Sequence, residues 1–175
     1  MKTAPRPAVD TTVFCDAASR FASGVTVAAA AHHGLHHVIT ATAFASLSID
    51  PPMVLLALDR AGQLLGLVRD SGSVGLSVLS KGQEEIGRRA SAGGRRPRKA
   101  VDGAATTTAL TGAPLIVGAL AWFDCEVESI YEHGDHAIIV GRVVAAASTD
   151  GEPLVYFGRH YRKLGPQLGS SGVSR

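Results

Sequence analysis

Apolar and polar positions along the chain follow two periods. In TTVFCDAASRFASG, Phe14, Ala17, Ala18 and Phe21 recur at three- and four-residue intervals, the spacing that gathers side chains on one helix face, and Gly24 supplies a stop. A short amphipathic helix is therefore predicted to open the domain. From there the pattern is that of strands. VTVAAAAHHGLHHVITATAF is β-branched on both sides of HGLH, and Gly34 can take the first central position of a type II′ turn, which predicts a hairpin. PMVLLALD and SVGLSVLS follow as short apolar runs. ALAWFDCEVESIYEHGDHAIIVGRVVAAAST reads as two strands around Gly134, and LVYFGRHYRKL is a final aromatic segment. AGQLLGLVRD and KGQEEIGRRA are helical excursions. Helices this scarce argue against βαβ units and a parallel sheet, so the predicted fold is mainly β, a small antiparallel barrel with a few flanking helices.

Within this pattern HVITATAFASLSIDPP stands out, because an otherwise apolar stretch carries Thr40, Thr42, Ser46 and Ser48 and then stops on two prolines. Threonine suits strands and serine suits strand ends, which is one sufficient reason for them. Period-two alternation supplies another: it puts Thr40 and Thr42 on one face, and Ser46 and Ser48 likewise. Small hydroxyls in a row let a ligand approach the backbone and offer donors to a phosphate or to the polar edge of a heteroaromatic ring. Pro51 and Pro52 require the segment to end in a turn or at a sheet edge.

With 175 residues, 46% hydrophobic and 18% charged, the chain can bury a real core, and one domain is expected over residues 11–164. Residues 1–10 contain two prolines, and residues 165–175, GPQLGSSGVSR, are rich in glycine and serine; both ends are expected to be disordered. A formal net charge of +2 is too small for the footprint of a nucleic-acid binder. Cys15 and Cys125 form no C-x-x-C pair, which fits a reduced, cytoplasmic protein. The N-terminus lacks an apolar leader region and no apolar run reaches membrane-spanning length, so neither export nor a membrane span is expected.

Several chemistries are absent. The chain has no G-x-S-x-G elbow, no G-x-x-x-x-G-K-S/T phosphate loop and no G-x-G-x-x-G after a strand, so a bound nucleotide would not sit on a Rossmann or P-loop scaffold. His32 and His36 have helical metal-ligand spacing, but a hairpin breaks it; there His33 is expected to face His36, and His32 to face His37, and a metal would need further ligands. GRRASAGGRRPRK gathers Arg88, Arg89, Arg95, Arg96, Arg98 and Lys99, either as an exposed loop or as a patch that steers an anionic substrate such as a dinucleotide or flavin phosphate. In EHGDHAIIVGRV, Gly134 and Asp135 make a turn and His136 starts a strand, where its ring either projects into a pocket or serves the structure.

Taken together, FCDAASRFASGVTV, HVITATAFASLSIDPPMVLLAL, VGLSVLSKGQ, GAPLIVGALAWFDCEV, GDHAIIVGRV and LVYFGRHYRKL resemble, in order, the flavin reductase family of FMN-binding split-barrel proteins. These are the reductase partners of two-component flavin-dependent monooxygenases. The resemblance implies a Greek-key split barrel, FMN or FAD as flavin, NADH or NADPH as hydride donor, a homodimer, and a separate monooxygenase that receives reduced flavin. It implies flavin contacts for Thr40, Ala41, Thr42, Ala43, Phe44, Ser46, Leu47 and Ser48, through the family's T-A-S/T-x-F element and the serines after it. Ser80 and Gln83 match the L-S-x-x-Q piece near the flavin tail, preceded by Ser77. Asp135 and His136 match G-D-H, whose histidine sits near the nicotinamide in relatives, and Tyr161 matches the aromatic of the final motif. Val38, Ala43 and Ser77 stand where relatives usually carry glycine, serine and asparagine, and Gly158 lies one place earlier than in the common F-x-G-x-Y. A flavin-binding or redox-sensing protein without turnover, and a metal-binding protein built on the histidine turn, are the alternatives.

Overall fold

A computed structural model describes residues 8–92 and 103–166. Arg95, Arg96, Arg98 and Lys99 lie outside the described residues, as do 1–7 and 167–175 of the expected disordered ends. In chain order the elements are α1 (Thr11–Ala18), β1 (Ser23–Gly24), β2 (Thr26–His32), β3 (Leu35–Ala41), β4 (Phe44–Ile49), β5 (Pro52–Asp59), α2 (Gln63–Ser71) and β6 (Ser73–Val78). A 3-10 turn over Lys81–Gln83 leads into α3 (Glu84–Ser91). Then come β7 (Thr106–Thr107), β8 (Leu115–Ile116), β9 (Ala121–His133), β10 (His136–Ser148), β11 (Val155–Phe157) and β12 (His160–Arg162).

Seven strands form one antiparallel sheet in the order β3-β2-β6-β9-β10-β5-β4. Its two edge strands, β3 and β4, are joined by Thr42 and Ala43 alone. Three Cα–Cα steps span at most about 11 Å, so the edges must come together and the sheet must curl into an open barrel. The mainly β antiparallel barrel expected from the strand pattern is what forms. The proline argument also holds: β4 is an edge strand, Asp50–Pro51 is a cis peptide in the turn that follows, and Pro52 is the first residue of β5.

Alternation explains the core. Val54, Leu56 and Leu58 of β5, Ala137 and Ile139 of β10, and Ala28 and Ala30 of β2 point into the barrel, where α2 contributes Leu64, Leu65, Leu67 and Val68. The two small residues of β2 leave room for that helix. Each buried leucine is worth about 1.5–3 kcal/mol relative to exposure. The intervening residues of β2 are buried as well. Val27, with Val25 just before the strand, joins Leu79, Ala90, Ile116, Ala119 and Leu154 in a second cluster, which α3, the 110–120 segment and the β11–β12 hairpin close from outside, Tyr156 and Tyr161 packing on it. Cys125 is fully buried, and burial first, with Asp124 second, pushes its thiol up to about 12, so it stays protonated at neutral pH. Neither cysteine is bonded to another.

Three local expectations need correction. The opening helix ends at Ala18, capped at its start by Asp10, whose side chain accepts from the N–H groups of Thr12 (2.8 Å) and Val13 (3.3 Å), and Gly24 belongs to β1 instead of ending it. Among the described residues nothing packs its apolar face: no residue of α1 is buried, Phe14 is 61% exposed, and Phe21, beyond the helix, is 79% exposed. The β2–β3 turn centres on His33 and Gly34, both at positive φ (48° and 75°), which is type I′ and not II′. The turn also sits one residue earlier than expected, which moves every pairing by two: His32 pairs with Leu35, Ala31 with His36 and Ala30 with His37, and no two of these histidines face each other.

Candidate functional site

The T-A-T-A-F stretch lies where the two barrel edges meet. Ala41 ends β3 and is buried against the core, Thr42 and Ala43 are exposed in the link, and Phe44 opens β4 with its ring 5.6 Å from that of Phe123. The Ala57 N–H donates to the Ala43 carbonyl at 3.0 Å. In an antiparallel ladder hydrogen-bonded and non-hydrogen-bonded pairs alternate, so the next pair, Phe44 with Leu56, is of the second kind, as is Ser46 with Val54. Phe44 and Ser46 therefore turn their backbone N–H and C=O groups to the open side of β4. With the hydroxyls of Thr42 and Ser46 beside them, they form a donor and acceptor row flanked by apolar groups.

Thr40 and Thr42 do not share a strand face, because Thr42 lies beyond the end of β3. Ser46 and Ser48 do not follow simple alternation either, because Leu47 is a bulge: Ser46 pairs with Val54, Ser48 with Met53, and Leu47 is left without its own partner. Ser46 is exposed, Ser48 half-buried and Leu47 46% exposed.

Ser77, Ser80 and Gln83 hold the protein's own backbone. Ser77 is 1% exposed and its hydroxyl accepts from the Ile116 N–H at 2.9 Å. Gln83 accepts from the Ser80 N–H (3.1 Å) through Oε1 and donates to the Val117 carbonyl (2.9 Å) through Nε2. Both ends of the Gln83 amide are thus engaged in joining the start of α3 to the 110–120 segment, and Ser77 is not brought to the open edge.

Thr40 and Tyr161 do come together. They line a cavity of about 530 Å³ with Arg88, Ser91, Tyr156, Arg159 and His160, between β3, α3 and the last hairpin. The Arg88 guanidinium lies 5.1 Å from the centre of the Tyr161 ring and bonds Glu84, while Arg159 pairs with Asp16 of α1 at 2.7 Å. Burial raises the Tyr161 phenol above its usual range. A Cβ at Gly87 would stand 3.1 Å from the Tyr161 oxygen, so the ring sits directly on the α3 backbone. Of the cavity's residues, Arg88 drew attention in the sequence only as part of a basic run, and Ser91, Tyr156, Arg159 and His160 carried no signal beyond lying near or inside a quoted motif.

His136 is the first residue of β10, opposite Asp59, the last of β5. Asp135 is 2.7 Å from its Nδ1 and fully at the surface, and this hydrogen bond holds the Asp135 carboxyl below its usual range. A carboxylate only accepts, so the ring proton sits on Nδ1 and Nε2 is left for other work. The Ala43–Ala57 contact places the Thr42–Ala43 link at this same end of β5, two strand spacings or about 10 Å from β10. Ser48, opposite Met53, lies six residues away along β5, about 20 Å. The link and His136 thus define one end of the site and the serines run away from it along the edge.

This donor set fits a flavin. Open N–H and C=O groups of an edge strand suit the pyrimidine edge of the ring, the apolar neighbours suit its benzenoid side, and the hydroxyls suit a phosphate tail. Among the described residues no group of three or more His, Cys, Asp or Glu converges, the turn histidines included. No helix of the described residues is long and apolar enough to cross a membrane.

The flavin reductase like domain matches residues 18–165. The reductase component of 4-hydroxyphenylacetate 3-monooxygenase from Thermus thermophilus is 40% identical over 152 residues, covering 86% of this chain and 95% of the relative. An NADH-dependent flavin reductase of Rhodococcus sp is 34% identical over 85% of this chain and 83% of its own length. In structure, the NADH:FAD oxidoreductase of Streptomyces globisporus, in complex with NAD and FAD fragments, superimposes with a TM-score of 0.83 at 28% identity, covering 94% of this chain and all of the other. By sequence and by fold, this chain belongs to the flavin reductase-like domain family.

Proposed function

We propose that this protein is an NADH-dependent flavin reductase that reduces FMN or FAD and delivers the reduced flavin to a separate monooxygenase. The observation that carries the reading is that the Thr42–Ala43 link, the start of the open edge of β4 and His136 lie toward the same end of β5. When bound, the nicotinamide supplies a hydride from C4 and the flavin accepts it at N5, which is why no acid–base dyad or nucleophile is required of the protein. The protein's residues bind and align. Phe44 and Ser46 offer backbone donors and acceptors to the ring edge, Thr42, Ser46 and Ser48 offer hydroxyls along the strand, and Phe44 supports one side of the pocket. The Nε2 of His136 faces the reaction as a hydrogen-bond partner that orients the nicotinamide or stabilises developing charge. Thr40 and Tyr161, with Arg88 and Arg159 in the same cavity, hold an anionic part of a nucleotide. NADPH is the alternative donor, and the location is the cytoplasm.

His136→Ala is expected to lower kcat/KM for NADH at least about tenfold, while flavin binding followed by fluorescence quenching is unchanged. Full activity in the variant would remove His136 from the site.

The protein works as a homodimer. Supporting this are Val13 (57%) and Phe14 on α1, Phe21 just beyond it, and Ile49 (89%) at the end of β4: apolar side chains that the described residues leave exposed. In sedimentation the wild-type chain is expected at twice its 18.1 kDa mass and the Phe14→Asp, Phe21→Asp variant at the single mass. A monomeric wild type would contradict the dimer.

A further inference from the structure

The turn that carries His136 is gripped from outside by a residue to which no role is yet attached. Arg60 follows the last residue of β5. Its backbone N–H donates to the Asp135 carbonyl at 2.9 Å, and its guanidinium Nη1 donates to the Gly134 carbonyl at 3.0 Å. Gly134 and Asp135 are the two central residues of the β9–β10 turn, so one residue binds both of their carbonyls. The other arm of the guanidinium, Nη2, lies 2.6 Å from Glu132 of β9, and Glu132 is also bonded by Arg69 of α2. The turn is thereby tied to three elements: to the end of β5 through Arg60, to β9 through Glu132, and to α2 through Arg69.

An exposed ion pair contributes little to stability, and Arg60, Glu132 and Arg69 are all 41–47% exposed at their side chains. Their arrangement fits positioning better. A two-residue turn with two free carbonyls can rock, and the Asp135–His136 hydrogen bond, made between neighbours at the tip, moves with it. Clamping both carbonyls narrows the backbone orientations from which the Asp135 carboxylate meets the His136 ring at Nδ1.

We propose that Arg60 is a positioning residue: with Glu132 and Arg69 it straps the β9–β10 turn so that Asp135 holds His136 in a single tautomer with Nε2 toward the reacting nicotinamide. This rests on the reading of His136 given above. The strap requires a planar group with two separated donor arms, so lysine, with one ammonium, can serve Gly134 or Glu132 but not both at full strength.

The test measures the ring and the reaction separately. Two-bond nitrogen–proton correlations of 15N-histidine-labelled protein report the His136 tautomer whatever the ring does in catalysis. Wild type is expected to give the Nδ1–H pattern. Arg60→Ala keeps the backbone bond to Asp135 but loses the arms on Gly134 and Glu132, and the pattern is expected to average between tautomers, with the KM for NADH rising about tenfold and flavin affinity unchanged. Arg60→Lys is expected to fall between the two, and it serves as the probe if the alanine variant does not fold. An unaltered His136 pattern in a folded Arg60 variant would overturn the proposal. A lost pattern with unchanged NADH kinetics would uphold the strap and instead refute the role given to His136.

Discussion

Asp124→Ala is expected to destabilise the domain by about 2–4 kcal/mol, from the loss of three charge-assisted hydrogen bonds at once. Asp124 sits on β9 with no exposed surface, yet it faces no cation among the described residues; it faces backbone. One carboxyl oxygen accepts from the N–H groups of Leu110 (2.7 Å) and Thr111 (2.8 Å), and the other accepts from the Thr111 hydroxyl. That hydroxyl in turn accepts from the Ala113 N–H at 3.1 Å, so a single side chain organises the segment from 110 to 113. Alanine removes three charge-assisted hydrogen bonds to part-buried donors and with them the anchor of the segment that Ser77 and Gln83 hold further along. Asp124→Asn keeps one acceptor but turns an NH₂ toward groups that donate, so it is expected to recover only part of the loss. Urea unfolding of the three proteins measures this directly, and a loss below about 1 kcal/mol for the alanine variant would mean that water replaces the carboxylate without cost.

Gly75→Ala is expected to cost about 3 kcal/mol, although it adds one methyl group to a strand. Gly75 lies in β6 between Ala29 of β2 and Asp124 of β9, in the middle of the sheet. A Cβ there would stand 2.5 Å from the Pro114 carbonyl oxygen, 3.0 Å from Leu115 Cδ2 and 3.3 Å from Ala113 Cβ. The first contact is with backbone, so no rotamer change relieves it. The 113–116 segment must lift off the sheet, lengthening the Ser77–Ile116 hydrogen bond and exposing part of the second core cluster, which includes Ile116. Thermal unfolding should show a drop of many degrees together with a weakened Gln83–Val117 tie. A variant as stable as wild type would show that the segment has slack that the close packing denies.

The two variants act on one segment, and that segment shows where the sequence was legible. The mainly β barrel could be read because short apolar runs between glycine and proline turns recur while helical spacing is scarce, and because two prolines mark the edge after β4. The T-A-T-A-F element could be proposed for the site because its contiguous motif resembles that of the family. Other features depend on pairing, which period counting does not reach. The Leu47 bulge breaks the alternation that would have joined Ser46 to Ser48. His33 takes a positive φ, which sets the β2–β3 turn one residue earlier and moves each pairing by two. Ser77 and Gln83 are polar residues in a family motif, yet their partners, Ile116 and Val117, lie more than thirty residues away, and no local pattern distinguishes a hydroxyl that meets a ligand from one that meets a backbone N–H. The open face of α1 follows the same logic: its spacing announces burial but not whether this chain or a second copy provides it. Arg60 carried no signal at all, because its importance arises from the two carbonyls that the β9–β10 turn brings to the end of β5.

The most direct test of the central claim is NADH oxidation at about 340 nm by the purified, flavin-stripped protein with FMN, with FAD or with no flavin added. Oxidation that depends on added flavin is expected, faster with NADH than with NADPH, and reduced flavin should accumulate when oxygen is excluded. A folded protein that binds flavin but oxidises neither nicotinamide would contradict the reductase reading and leave a flavin-binding or sensing role in its place.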